Sequence, residues 1–177
     1  RQFLETSGQQ HLITSAVEHP SVLETCRILA EQANIELTEL TVDSSGSVDP
    51  QALRASIRQD TSLISFMRAN NETGNLQSIE EFSEIAHEHE IPFHTDLVQA
   101  VGKLGVDLNA SGADFATATA HKLGGPRGIG LLYVREGSPF KSLITGGKQE
   151  RVRRAGTENM TLAVGFAKAV EWYLANQ

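Results

Sequence analysis

Short apolar segments alternate with amphipathic stretches of helical period along almost the whole chain, and nothing else in the sequence restricts the fold as much. His11 to Ala16, Ile35 to Val42, Ser62 to Met67, Ile91 to Thr95, Asp114 to Ala118 and Ile129 to Val134 read as strands. Pro92 is tolerable because it falls at the very start of its strand. Ser21 to Ala33 reads as a helix with Val22, Leu23, Cys26, Leu29, Ala30 and Ala33 on one face. Asp49-Pro50 offers an N-cap and a proline at the first helical position, opening a helix to about Arg58. Ser78-x-x-Glu81 has the form of a capping box and starts a helix to about His89. Thr161 to Leu174 carries Leu162, Phe166, Val170 and Leu174 at spacings of four, a last helix. The alternation predicts an α/β fold, a mostly parallel sheet covered by helices. At 177 residues and 40% hydrophobic content the chain can bury the core of one such domain.

In parallel sheets, ligands collect beyond the carboxyl ends of the strands. His19, Asn71, Asp96 and Lys122 all fall at or just after such ends, which predicts one shared site. Lys122 lies in Ala120-His121-Lys122-Leu123-Gly124-Gly125-Pro126-Arg127-Gly128, between an apolar strand and a glycine-rich turn. A lysine held at the end of a buried strand loses hydration, which favours the neutral amine. A neutral amine can attack an aldehyde and form a Schiff base. A carboxylate for a pyridine nitrogen and an amine for an aldehyde are what pyridoxal phosphate (PLP) needs from a protein. Taken singly, these residues have ordinary readings: an exposed loop lysine, a strand-end aspartate, two asparagines in a turn before Gly74. The net charge of −7 argues against nucleic acid or an anionic membrane as partner. No apolar run approaches a membrane span, and no signal peptide is visible. The single cysteine cannot form an intrachain disulfide and reads as intracellular, so a cytoplasmic location is expected. The six histidines show no metal-ligand spacing, and no metal is expected. No phosphate-loop or dinucleotide-binding glycine pattern is present.

Five blocks, in order, carry a resemblance. They are Val17-Glu18-His19, Asn70-Asn71-Glu72-Thr73-Gly74, His94-Thr95-Asp96-Leu97-Val98-Gln99-Ala100-Val101-Gly102-Lys103, the Ala120–Gly128 segment around Lys122, and Gly146-Gly147-Lys148-Gln149-Glu150-Arg151 through Arg154-Ala155-Gly156-Thr157-Glu158-Asn159. Together they resemble the cysteine desulfurases of the NifS/IscS type, within the class V aminotransferase branch of fold-type I PLP enzymes. Any one block is a weak signal; five in family order, over nearly the whole chain, are specific. The resemblance implies a three-layer α/β/α large domain with PLP as cofactor. It implies Lys122 as the lysine that binds PLP covalently and then shuttles protons, and Asp96 as the carboxylate paired with the pyridine nitrogen. Gln99 would contact the phenolic oxygen, Asn71 would also touch the cofactor, and His19 would stack on the ring and carry protons. Thr119 and His121 would bind the phosphate. Many members carry serine and glycine where this chain has Thr119 and Ala120. Thr157 would reach the phosphate of the neighbouring subunit's cofactor, which implies a homodimer. Arg151, Arg153 and Arg154 would hold that loop near the phosphate, or lie on a solvated surface.

The activity implied is conversion of L-cysteine to L-alanine and an enzyme persulfide, whose sulfur passes to an acceptor protein for iron–sulfur clusters or other sulfur transfer. That chemistry needs a nucleophilic cysteine, which in the family lies on a mobile loop far beyond the lysine region. Cys26, on the apolar face of its helix, reads as a small core residue. No equivalent of the nucleophile, or of the arginine that grips the substrate carboxylate, is found here. The expected organisation is therefore a PLP-binding large-domain core over 1–145, truncated at its N-terminus, a loop over 146–160 that reaches the partner subunit, and a helix over 161–177 leading toward an absent C-terminal small domain. By itself this segment is expected to be inactive. A selenocysteine lyase, kynureninase or aminotransferase of the same branch stays open, as does an inactive fragment; the Arg154–Asn159 block favours the desulfurase.

Overall fold

The structure, a computed structural model, describes residues 8, 10–32 and 34–176. Residues 1–7, 9, 33 and 177, among them the expected end of the first helix at Ala33, lie outside the described residues. The elements are β1 (Gln10–Ser15), α1 (Pro20–Gln32), β2 (Ile35–Leu40), α2 (Pro50–Ser56), β3 (Thr61–Met67), α3 (Ile79–Glu88), β4 (Phe93–Asp96), β5 (Phe115–Thr119), β6 (Gly130–Val134) and α4 (Met160–Ala175). Short 3-10 turns occupy Ala120–Leu123 and Glu150–Val152. Among the described residues the strands form one six-stranded sheet in the order β2-β1-β3-β4-β5-β6. Strands β1 to β5 pair in parallel, and β6 runs antiparallel to β5. The reversal at β6 follows from its linker. Residues 120–129 are too few for a parallel crossover, which takes about a dozen or more.

Strand periodicity divides the side chains between two faces. Ile64 and Phe66 of β3 and Phe93 of β4 form one core with Leu53 of α2 and Ile79, Phe82 and Ile85 of α3. Phe66 packs edge-on against Phe82, with ring centroids 4.9 Å apart. Each such aromatic ring removed from water contributes about 1.5–3 kcal/mol. Ser65, His94 and Asp96, at the alternate positions, point to the other face. On α1 the buried residues are Leu23 and Cys26, flanked by half-buried Val22, Leu29 and Ala30, as its pattern predicts.

The helix starts differ from expectation at one place. Asp49 caps α2 as expected, its carboxylate accepting the Gln51 N–H at 2.9 Å, and Pro50 opens the first turn. The helix stops at Ser56 because Ile57 is extended. At α3 the capping box does not form: the Ser78 side chain makes no cap bond. The buried Gln77 fixes that corner, its Oε1 accepting the Val48 N–H at 3.0 Å and its Nε2 donating to Gly46 O at 2.7 Å. On α4, Phe166 is buried and Val170 half-buried, but Leu174 is exposed, so the expected stripe stops short of the helix end.

The α4 helix matters because it buttresses the 3-10 turn that carries Lys122. Phe166, Val170 and Tyr173 pack against Ala120 and Leu123. Gly102 lies in the same contact at φ +80°, and a Cβ there would come within 2.3 Å of Leu123 Cδ2 and 3.0 Å of Tyr173 Cγ. Gly102→Ala is therefore expected to destabilise the domain by about 1–3 kcal/mol through overpacking and left-handed strain. Denaturant midpoints measure this; an unchanged midpoint would contradict the contact.

Candidate active site

Strands β1, β3, β4 and β5 run parallel, so their carboxyl ends share one edge of the sheet. Beyond that edge opens a cleft of about 320 Å3. His19 and Ser21 reach it from the end of β1, Met67, Ala69 and Asn71 from β3, Asp96, Val98 and Gln99 from β4, and Thr119, His121 and Lys122 from β5. Seven of the eight residues singled out in the sequence thus line a single cleft. Thr157 is the exception: it is exposed, in the loop before α4, and not among the lining residues.

Asp96 closes the floor of the cleft and is 7% exposed. Its Oδ1 accepts the Val98 N–H at 2.8 Å. Burial raises its pKa from the ordinary aspartate value, countered in part by the Val98 N–H and the nearby His19. On the same face of the sheet, His94 Nδ1 lies 2.7 Å from Ser65 Oγ and its Nε2 3.4 Å from Thr117 Oγ1. Burial holds the His94 imidazole down, to about 4, so it is neutral at physiological pH and brings no positive charge to the floor.

His19 is exposed at the mouth. Its Nδ1 accepts the Ser21 backbone N–H at 3.2 Å, with the Ser21 hydroxyl 2.7 Å away. A backbone N–H can only donate, so the neutral ring carries its proton on Nε2. The two adjacent asparagines divide their work. Asn70 makes the turn, its Oδ1 accepting from the Glu72 and Thr73 N–H groups at 2.9 Å each, and its amide donates to Val17 O at 3.0 Å. Asn71, exposed, faces the cleft. Gln99 lies on a single hydrogen-bonded turn closed by the Ala100 and Val101 N–H groups on Leu97 O, not at the start of a helix. Lys103 Nζ donates to its Oε1, so the amide NH2 is the end left to donate.

Thr119 gives its hydroxyl proton to Ile129 O at 3.1 Å, and its oxygen lies 2.9 Å from His121 Nδ1. Lys122 departs from expectation. It is exposed on the 3-10 turn past the strand, not buried at the strand end. The three-residue period of that turn explains the difference. Ala120 and Leu123, three apart, take the buried positions, which leaves His121 and Lys122 outside. Gly124, at φ +74°, ends the turn by donating its N–H to Ala120 O. The protein at this point therefore does not strip Lys122 of water.

Over residues 3–177 the chain matches the family described as Aminotransferase class-V. It belongs to that family. This class-V chain is 49% identical over 168 residues to a protein named cysteine desulfurase IscS from Dictyoglomus turgidum (strain DSM 6724 / Z-1310), covering 95% of this chain and 42% of that protein. It is likewise 49% identical over 169 residues to a cysteine desulfurase IscS from Methanosarcina thermophila, covering 96% of this chain and 42% of that protein. Among solved structures it is similar to one described as SspA in complex with cysteine (TM-score 0.88, 44% identity, 92% of this chain and 47% of that one). A NifS-like protein superposes with a TM-score of 0.89 at 37% identity, over 95% of this chain and 46% of that one. The chain thus spans less than half the length of these relatives.

The class-V cleft fits the chemistry of PLP. It pairs a buried carboxylate with an exposed primary amine, sets a hydroxyl and an imidazole beside that amine, and has the volume of a small-molecule site. Sequence reasoning missed Ser21, Met67, Ala69 and Val98 as lining residues. The signal was present for Met67 and Ala69, which end and follow β3 under the same strand-end rule.

Proposed function

We propose that this chain is the cofactor-binding part of a PLP-dependent cysteine desulfurase, which converts L-cysteine to L-alanine and retains the sulfur as an enzyme persulfide for an acceptor protein. The observation that carries the reading is the pairing of buried Asp96 and exposed Lys122 on one cleft, from the ends of adjacent strands β4 and β5. PLP, when bound, supplies an electron sink for the carbon beside the amino group. Asp96 would keep the pyridine nitrogen protonated, and its small exposure limits competition from water. His19 would lay its ring against the cofactor and offer a proton at Nε2. The Gln99 amide would donate to the phenolic oxygen, with Asn71 as a further contact, and Thr119 and His121 would bind the phosphate. Lys122 would hold the cofactor's carbonyl carbon and then move a proton at the substrate carbon.

Thr157, with Arg151, Arg153 and Arg154 before it, would serve the partner subunit's site in a homodimer. On this reading 1–145 is the cofactor-binding core, 146–160 the loop to the partner and 161–177 the helix toward a small domain; the single cysteine suits a cytoplasmic enzyme. Cys26 takes no part. It is buried, and burial pushes its thiol up to about 11, so it is not a thiolate at neutral pH. The full-length protein containing this chain is expected to form alanine from L-cysteine in step with protein-bound sulfur, and Cys26→Ala should leave that rate unchanged. Transamination without alanine release, cleavage confined to selenocysteine or kynurenine, or loss of turnover in Cys26→Ala would each count against the reading.

A further inference from the structure

Glu18, in the turn after β1, is 5% exposed. Its Oε1 accepts from Ser15 Oγ at 2.7 Å and from the Met67 backbone N–H at 2.8 Å. Met67 is the last residue of β3 and stands in register with Asp96. One side chain therefore ties the ends of β1 and β3 together, a residue before His19 and one strand from Asp96. The other oxygen, Oε2, is buried with no hydrogen-bond partner among the described residues. A charged carboxylate with an orphaned oxygen is costly in such a place, and a neutral acid much less so. The titratable groups around it do not offset that cost: Asp96 from β4 repels a second negative charge, the Cys26 thiol of α1 stays protonated, and His19 is turned out to the mouth. Burial foremost, with the Asp96 charge adding, raises its pKa to about 7 against the Met67 and Ser15 bonds.

We propose that Glu18 is a positioning residue of the cofactor site: by joining the ends of β1 and β3 it fixes the turn that presents His19, and its buried, unpartnered oxygen disfavours a second charge beside Asp96. The proposal rests on the PLP reading of the cleft. Its role in positioning predicts a division between two variants. Glu18→Gln keeps an acceptor oxygen for Ser15 and Met67 and cannot ionise. Glu18→Ala releases both ends.

The test uses the full-length protein and two readouts. The first needs no cofactor. A carboxyl whose folded-state pKa is raised lowers stability as pH climbs from its unfolded value, about 4.3, toward the folded value. With PLP removed, the melting temperature of the wild type should fall relative to Glu18→Gln between about pH 5 and 7.5, and the gap should then level off. The second readout is PLP affinity from cofactor absorbance near pH 6.5. Glu18→Ala should weaken it about tenfold, the worth of one to two buried hydrogen bonds, and Glu18→Gln by no more than about twofold. If Glu18 acts through His19, adding Glu18→Ala to His19→Ala should cost nothing further. A pH-independent stability gap, equal losses in the Gln and Ala variants, or additive losses in the double variant would overturn the proposal. Normal PLP binding by Glu18→Ala would sink it alone, whereas failure of the wild type to bind PLP at Lys122 would sink the site reading with it.

Discussion

Lys122→Ala in the full-length protein is expected to stop the formation of alanine from L-cysteine, lowering kcat by about ten-thousand-fold or more, the scale of removing a group that acts by covalent bonding and proton transfer. The fold should not suffer. Lys122 is exposed, while the turn beneath it is held by buried Ala120 and Leu123 and by the Gly124 cap. A change of stability within about 0.5 kcal/mol is expected, as for a surface substitution. Lys122→Arg should be almost as inactive, because guanidinium keeps the charge but stays protonated and cannot attack a carbonyl. A variant at this position that retained turnover would remove the residue from the mechanism.

Asp96→Asn is expected to separate activity from stability. On the proposed reading Asp96 would pair with the pyridine nitrogen, and loss of its negative charge should cost about one-hundred- to one-thousand-fold in kcat, the range for removing one preorganised electrostatic partner. The PLP-free protein should become more stable at neutral pH. Burial raises the Asp96 pKa in the folded state, so folding is penalised progressively as pH rises from the unfolded value through the folded one. Asparagine does not ionise and can still accept the Val98 N–H through its carbonyl oxygen. Melting temperatures of the two proteins should therefore converge at acid pH and diverge, in favour of Asp96→Asn, toward neutral pH. A wild type more stable than the variant at neutral pH would contradict the burial argument.

Where the sequence could be read, local chemistry dictated local structure. Asp49-Pro50 capped α2 because its side chain needs only its own backbone. The strand-end rule gathered His19, Asn71, Asp96 and Lys122, because parallel strands leave their carboxyl ends along one edge. The misreadings arose where distant segments decide. Ser78 and Glu81 have a capping-box spacing, yet Gln77 took over that corner through bonds to Gly46 and Val48, residues remote in sequence. Lys122 was expected to be buried because the strand before it is apolar, but a 3-10 turn begins at Ala120 and its three-residue period turns the lysine outward. The antiparallel course of β6 is legible in the shortness of its linker, which is too short for a parallel crossover. Glu18 gives no sequence sign of burial, since that depends on β1 and β3 meeting at Met67. Asn70 and Asn71 look alike in sequence and differ only once Asn70 has found Val17.

The central claim, that this cleft holds PLP on Lys122, is tested most directly by trapping. The full-length protein is incubated with PLP, reduced with borohydride and mapped by peptide mass spectrometry. The expected result is one reduced adduct, on Lys122, at nearly one per chain, and strongly diminished in Asp96→Ala. An adduct concentrated on another lysine, such as Lys103, or labelling spread over surface lysines and indifferent to Asp96, would contradict it.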